Sequence, residues 1–192
     1  MRISLQACIA TSVVLLMASC AQLSPQQVDF APTIRTDGLI QGQGTVSLEV
    51  SDKRPGSAIG LRGGAYAQSA TITAQAPLRE LIERLATQVL AKSGMTVTTS
   101  LPETRIDISL EQLTYAVTPL RASIKRSTAS AEISVKVERG NMTYVKNHTT
   151  SQYIDTVGYA SEEKNSVLLN EVFDTVLENL FSDAGLETFL SN

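Results

Sequence analysis

The chain has 192 residues, 18% of them charged and 43% hydrophobic, with no Trp and a formal net charge of −3. This is ordinary globular composition, which excludes a disordered or fibrous chain. A mildly acidic balance also leaves no global field that would gather nucleic acid.

Arg2 gives the N-terminus a positive start, and Ala7 to Met17 is an apolar run. That run is far short of the roughly 20 residues that span a bilayer. A charged start, a short apolar stretch and small residues at its end fit a secretory signal peptide. Leu16-Met17-Ala18-Ser19-Cys20 resembles a bacterial lipobox, with Met17 where Leu is commonest. The resemblance implies cleavage between Ser19 and Cys20, loss of residues 1–19, and diacylglycerol and palmitate-type chains on Cys20. The bland alternative is an ordinary signal peptide with Cys20 a chance residue. Ala21, rather than Asp, follows the cysteine, which by resemblance to enterobacterial sorting rules implies the outer membrane. One acyl chain gives marginal anchoring, at about 0.8 kcal/mol per buried CH₂, and two or more anchor stably. Cys8 leaves with the leader and Cys20 becomes a thioether. The mature domain therefore has no disulfide in an oxidising compartment, and its stability must come from a core. Roughly 150 residues suffice to bury about 70% of the unfolded surface.

Residues 20–44 read as the lipidated N-terminus and a tether, rich in breakers such as Ser24-Pro25, Ala31-Pro32 and Gly42-Gln43-Gly44. If flexible, it reaches about 25–30 Å. Alternatively, the alternation of Val28, Phe30 and Ile34 lays part of it against the domain. Residues 45–192 then form a single periplasmic domain. Val46, Leu48 and Val50 alternate with Ser47 and Glu49, the period-two mark of a half-buried strand. Pro55 stops it, a glycine-rich loop follows at Gly56–Gly64, and a short strand lies around Ala70–Thr73. Pro77 opens a helix whose Leu78, Leu81, Ile82, Leu85, Val89 and Leu90 share a face, and Gly94 closes it. Met95–Thr98 starts the next strand. Ile106, Ile108 and Leu110 share one face of another; the apolar phase then moves to Leu113, Tyr115 and Val117, which predicts a bulge at Glu111-Gln112. Ala129 to Val137 alternates most clearly. Gly140-Asn141 is a two-residue hairpin turn, and Met142–Ile154 returns as a more polar strand near an edge. Ser161 caps a last long helix with Leu169, Val172, Phe173, Val176 and Leu180 on its apolar face, and Asp183–Leu190 adds a short helical turn. The class is α+β: a two-layer sandwich with a mostly antiparallel sheet of about four to six strands and two amphipathic helices on one face.

Candidate chemistry is sparse. Ser161-Glu162-Glu163-Lys164 matches Ser-x-x-Lys, but the further elements of penicillin-binding enzymes are missing and helix capping explains it. His148 is the only histidine; it reads as a half-exposed strand residue and cannot build a zinc site alone. Gly60-Leu61-Arg62-Gly63-Gly64 is not a phosphate-binding loop. Glu162, Glu163, Asp183 and Glu187 read as solvated carboxylates on helix surfaces. Asp52, Arg54 and Arg62 form a candidate docking corner; the competing reading is an Asp–Arg or Asp–backbone clamp that fixes the turn. No catalytic residue, metal or cofactor is assigned.

Four features together look like the YajG-type lipoproteins: the leader; Val50-Ser51-Asp52-Lys53-Arg54-Pro55 running to Ile59-Gly60; the helix after Pro77 that ends in Lys92-Ser93-Gly94; and the hairpin at Arg139-Gly140-Asn141 closed by Leu186 to Leu190. The resemblance implies location and fold and supplies no activity. The expected function is a non-enzymatic, periplasm-facing outer-membrane lipoprotein, an accessory or assembly partner of an envelope complex. Its partners are the membrane, through Cys20, and an envelope protein, with no nucleic acid. The alternative is a binding module for lipid, glycan or peptidoglycan fragments held between sheet and helices.

Overall fold

The computed structural model describes residues 23–34, 39–64 and 67–191. Ser19, Cys20, the rest of the leader and residues 35–38 of the expected tether lie outside them. In chain order the strands are β1 (Gln26–Val28), β2 (Thr45–Asp52), β3 (Ala58–Leu61), β4 (Thr71–Ala74), β5 (Thr96–Val97), β6 (Thr104–Pro119), β7 (Ile124–Arg139) and β8 (Met142–Val157). The helices are α1 (Leu78–Lys92), α2 (Glu162–Phe181) and α3 (Ala184–Ser191).

The class is α+β, but among the described residues the strands number eight in one mixed sheet, more than the four to six expected. The additional strands, β1 and β3, are three and four residues long; β1 pairs in parallel with β4, and β3 pairs antiparallel with β4 and in parallel with β6. Neither is long enough to stand out as a strand by alternation alone. The long strands β6, β7 and β8 form an antiparallel meander, each 16 residues and about 50 Å at a rise of roughly 3.3 Å. β7 pairs with β6 along one edge and with β8 along the other. The opposite edge of β6 is divided. Thr104–Leu110 pairs in parallel with β2, and Tyr115 pairs with Gly60 of β3. The expected bulge falls between Leu110 and Gln112, at this division.

The stretch expected as a tether is in part a strand. Gln26–Val28 pairs in parallel with β4, and Val28, Phe30, Leu39 and Ile40 are buried in the core. The extended alternative for this stretch is the arrangement found, because its apolar side chains have a face to cover. The glycine-rich loop also contains a strand. β3 pairs antiparallel with β4, and Gly60 permits its close approach to β6, where a Cβ would collide with the Tyr115 carbonyl.

Both long helices lie on the sheet. α1 packs over β2 and β5, and α2 over β7, β8 and β1. Their apolar stripes meet the inward residues of the strands in one continuous core that includes Ile82, Leu90, Ile133, Leu169 and Phe173. The Arg79–Glu83 pair forms at 2.9 Å on the solvent side of α1. The short helix α3 buries Leu186 and Leu190. Arg139 holds its C-terminal end, donating to the carbonyls of Phe189 at 3.4 Å and Leu190 at 3.1 Å.

Gly60→Ala is expected to destabilise the fold by about 1–3 kcal/mol, since backbone rather than a flexible side chain occupies the space. Gly56→Ala, with nothing within 4 Å of the added methyl, is the control and should change stability by less than about 0.5 kcal/mol. Urea denaturation midpoints compare the two.

Candidate functional site

Because side chains alternate along each strand, the face of β2, β6, β7 and β8 turned away from the core carries the polar residues. Arg105 donates to Glu49 at 2.8 Å and to Asp107 at 2.9 Å. Lys53 Nζ and Ser134 Oγ donate to Glu111 Oε1 at 2.9 and 2.7 Å, and these hydrogen bonds hold its carboxyl below the usual range. Asn147 reaches Glu132 at 3.2 Å. Together they line an open concavity of about 670 Å³. Each charge is engaged sideways by a neighbour, so individual pairs contribute little to stability. The face offers an array of donors and acceptors. Beside it, β8 is an edge: it pairs with β7 and, among the described residues, with no other strand. Val145, Tyr153 and Val157 stand exposed along it.

The three residues of the expected docking corner do not form one site. Arg54 clamps Asp52 in a bidentate pair, Nε–Oδ1 2.9 Å and Nη2–Oδ2 2.7 Å, and its backbone N–H also donates to Oδ1 at 3.2 Å. Burial would raise the Asp52 carboxyl; the Arg54 hydrogen bonds outweigh it and the pKa lies below the ordinary value. Arg62 follows β3, which meets β6 beyond the bulge. It is buried, and its Nη1 donates to Glu162 at 2.6 Å and to the Ser24 carbonyl at 2.9 Å. The geometry carries the clamp reading for Asp52 and Arg54, and an internal bridge for Arg62. Ser161 accepts from the Lys164 backbone N–H at 3.3 Å, so Ser-x-x-Lys here is a helix cap.

Two further polar clusters were not singled out in the sequence. In the first, the Tyr115 hydroxyl lies 2.7 Å from Ser127 Oγ and 2.6 Å from Asn165 Oδ1. An amide oxygen only accepts, so it takes the phenol proton and Ser127 supplies the other bond. Asn165 Nδ2 donates to Gln26 Oε1 at 3.0 Å, and Gln26 Nε2 donates to the Glu162 carbonyl at 2.7 Å and Ser166 Oγ at 3.0 Å. This chain of bonds crosses from β6 through α2 to β1. Burial pushes the Tyr115 phenol up. The signal for Asn165 was its spacing: it occupies the position before Leu168, Leu169 and Val172 on the apolar face of α2.

The second cluster docks α3. Asp183 Oδ1 accepts from Tyr144 at 2.7 Å and from the Leu186 backbone N–H at 2.8 Å, and Oδ2 accepts from Lys146. His148, expected half-exposed, is buried, with Nε2 3.9 Å from Asp183 Oδ2. The reason is phase: Tyr144, Lys146 and His148 point inward opposite Val137, Val135 and Ile133. Burial lowers the His148 pKa, opposed by the Asp183 charge. Asp183, expected as a solvated carboxylate, is also buried.

No group of three or more His, Cys, Asp or Glu is placed to hold a metal among the described residues. Nor is any described helix long and apolar enough to cross a membrane. An α+β domain, a mixed sheet with helices packed against it, is thus the class that the geometry defines. A Xanthomonas campestris protein of the DUF330 family shares this fold at 10% identity and a TM-score of 0.54, covering 84% of this chain and 97% of that one. Rare lipoprotein B of Shewanella oneidensis is similar at 12% identity and TM-score 0.46, covering 75% and 98%. A minor lipoprotein of Acinetobacter baumannii is similar at 13% identity and TM-score 0.41, covering 77% and 96%. No curated protein matches the chain. The family model for uncharacterized lipoprotein matches residues 32–191, and the chain belongs to that family.

The α3 dock predicts acid sensitivity. Although burial opposes it, hydrogen bonds from Lys146 and Tyr144 lower the Asp183 pKa to about 2. The folded state binds fewer protons than the unfolded one, so this stabilisation is complete above the ordinary value of 3.8 and lost as the pH falls through 2. Asp183→Asn should cost on the order of 2 kcal/mol at pH 7 and flatten the stability profile between pH 4 and 2. His148, also lowered, is expected to add a decline that begins as the pH drops below the ordinary histidine value of 6.5. His148→Gln should remove that part. Chemical denaturation across the pH range measures both.

Proposed function

We propose that this lipoprotein is a non-enzymatic accessory or assembly partner of an envelope complex, lipid-anchored through Cys20 at the outer membrane and facing the periplasm. The observation that carries the partner role is the edge of β8. It runs for 16 residues without a proline. Its charges Lys146 and Asp155 are taken up by Asp183 and Arg126, and a long edge is a template for an added strand. Val145, Tyr153 and Val157 offer alternate side-chain contacts along it. The Asp52–Arg54 corner is less suited to docking, because its charges already satisfy each other. A ligand held between sheet and helices is the less favoured reading, since Phe173, Phe181, Leu168 and Leu177 fill that space. The anchor and its membrane rest on the Leu16–Cys20 pattern, Ala21 and the family's lipoprotein character.

In-cell crosslinking with mass spectrometry tests this reading. The native protein should capture one dominant envelope partner, lost in Cys20→Ser. Val145→Lys with Thr149→Lys, both on the exposed edge, should reduce that crosslink about tenfold while stability changes by less than about 0.5 kcal/mol. No partner above background in the native and Cys20→Ser forms would sink the accessory role.

A further inference from the structure

The described chain begins at Leu23, and only Ala21 and Gln22 separate it from Cys20. Three fully extended residues reach at most about 11 Å. Anchoring at Cys20, on which this inference rests, would therefore bring the end of the domain around Leu23 to the lipid surface.

That end is assembled from several elements. A Cβ on Gly64 would lie 3.4 Å from Leu23, and one on Gly63 would strike Tyr159. Lys125 lies over the Tyr159 ring, 5.7 Å from its centroid. Gly158 donates to the Ser123 carbonyl at 2.8 Å, which ties the end of β8 to the β6–β7 turn. The side chains displayed are Leu120, Val157 and Tyr159, with Val157 84% exposed. Among them stand the cations Arg121 and Lys125. Nearby, Arg126 is closed by Asp155 and Arg62 by Glu162. Arg121 and Lys125 form no ion pair among the described residues, while Lys164 shares a groove with Asp155, Glu163 and Glu171. A locally positive end on a chain of net charge −3 complements anionic headgroups. Tyr and the long stems of Lys and Arg suit the boundary between water and acyl chains.

We propose that Leu120, Arg121, Lys125, Val157 and Tyr159 form a lipid-contacting face that rests on anionic phospholipid headgroups and stands the β6–β8 meander away from the membrane. The opposite tip, at Met142, is about 50 Å from Val157 along β8, so the two positions report on orientation cleanly.

The test uses the full lipidated chain on vesicles of phosphatidylethanolamine and phosphatidylglycerol. Val157→Cys and Met142→Cys are made separately and carry a nitroxide; both positions are exposed, so neither change should disturb the fold. Collision of the label with oxygen and with a water-soluble nickel chelate is read by electron paramagnetic resonance. The Val157 label should lose most of its nickel contact on the vesicle, and the Met142 label should keep it. Arg121→Glu with Lys125→Glu should return the Val157 label to water while the protein stays bound. Equal nickel contact at both positions, with Cys20 acylated and the protein on the vesicle, would overturn the face and leave the anchor standing. Mass spectrometry showing no acyl chain on Cys20 would overturn the anchor and, with it, the face.

Discussion

The constraint from which the rest of the architecture follows is the division of one edge of β6. β7 occupies the other edge throughout, while β2 takes the first half of this one and β3 the second. The chain must leave the sheet between them and return in the same direction within Lys53–Ser57. The Asp52–Arg54 clamp holds the exit, and Gly60 lets the returning strand close on Tyr115. The bulge at Leu110–Gln112 supplies the local change of twist where the partners change. A side chain at position 60 would push β3, with β4 and β1 behind it, away from β6.

Helix α2 is then oriented by a polar chain as well as by apolar burial. Burying Asn165, Tyr115 and Gln26 unpaired would be costly, and together they satisfy one another across three elements. Apolar contact alone would tolerate small rotations of the helix; these bonds do not. Asp183 and Arg139 act similarly on α3, one at its N-terminal end and one at its carbonyls. Directional bonds thus mark the ends and crossings of elements, and the apolar core fills what lies between.

Much of this was legible where periodicity is long. The α1 face, the alternation of β7, the phase change in β6 and the Gly140-Asn141 turn all stand in the order of residues. β1 shows in the sequence only as an extended stretch, through the alternation of Val28, Phe30 and Ile34, and β3 does not show as a strand, because four residues within a glycine-rich loop have no period of their own. Residue type misleads for His148, expected half-exposed, and Asp183, expected solvated; both are buried, and period two along β8 places His148 inward beside Tyr144 and Lys146. Arg62 was grouped with Asp52 and Arg54 by nearness in sequence, and the strand between them carries it to the other side of the bulge. The mutual pairing on the polar sheet face depends on strand register, which composition does not reveal.

The parallel strand β1 has a mechanical consequence. A load applied to the chain at Leu23 passes first into three paired residues and the side-chain bonds of Gln26. Behind them lie the buried rings of Phe30 and Phe173, in edge contact at 5.2 Å between centroids. Three paired residues hold far fewer backbone bonds than the 16-residue ladders of the meander, so pulling there strips this strand first. The N-terminal segment is therefore the molecule's mechanical fuse, and β6, β7 and β8 are sheltered behind it.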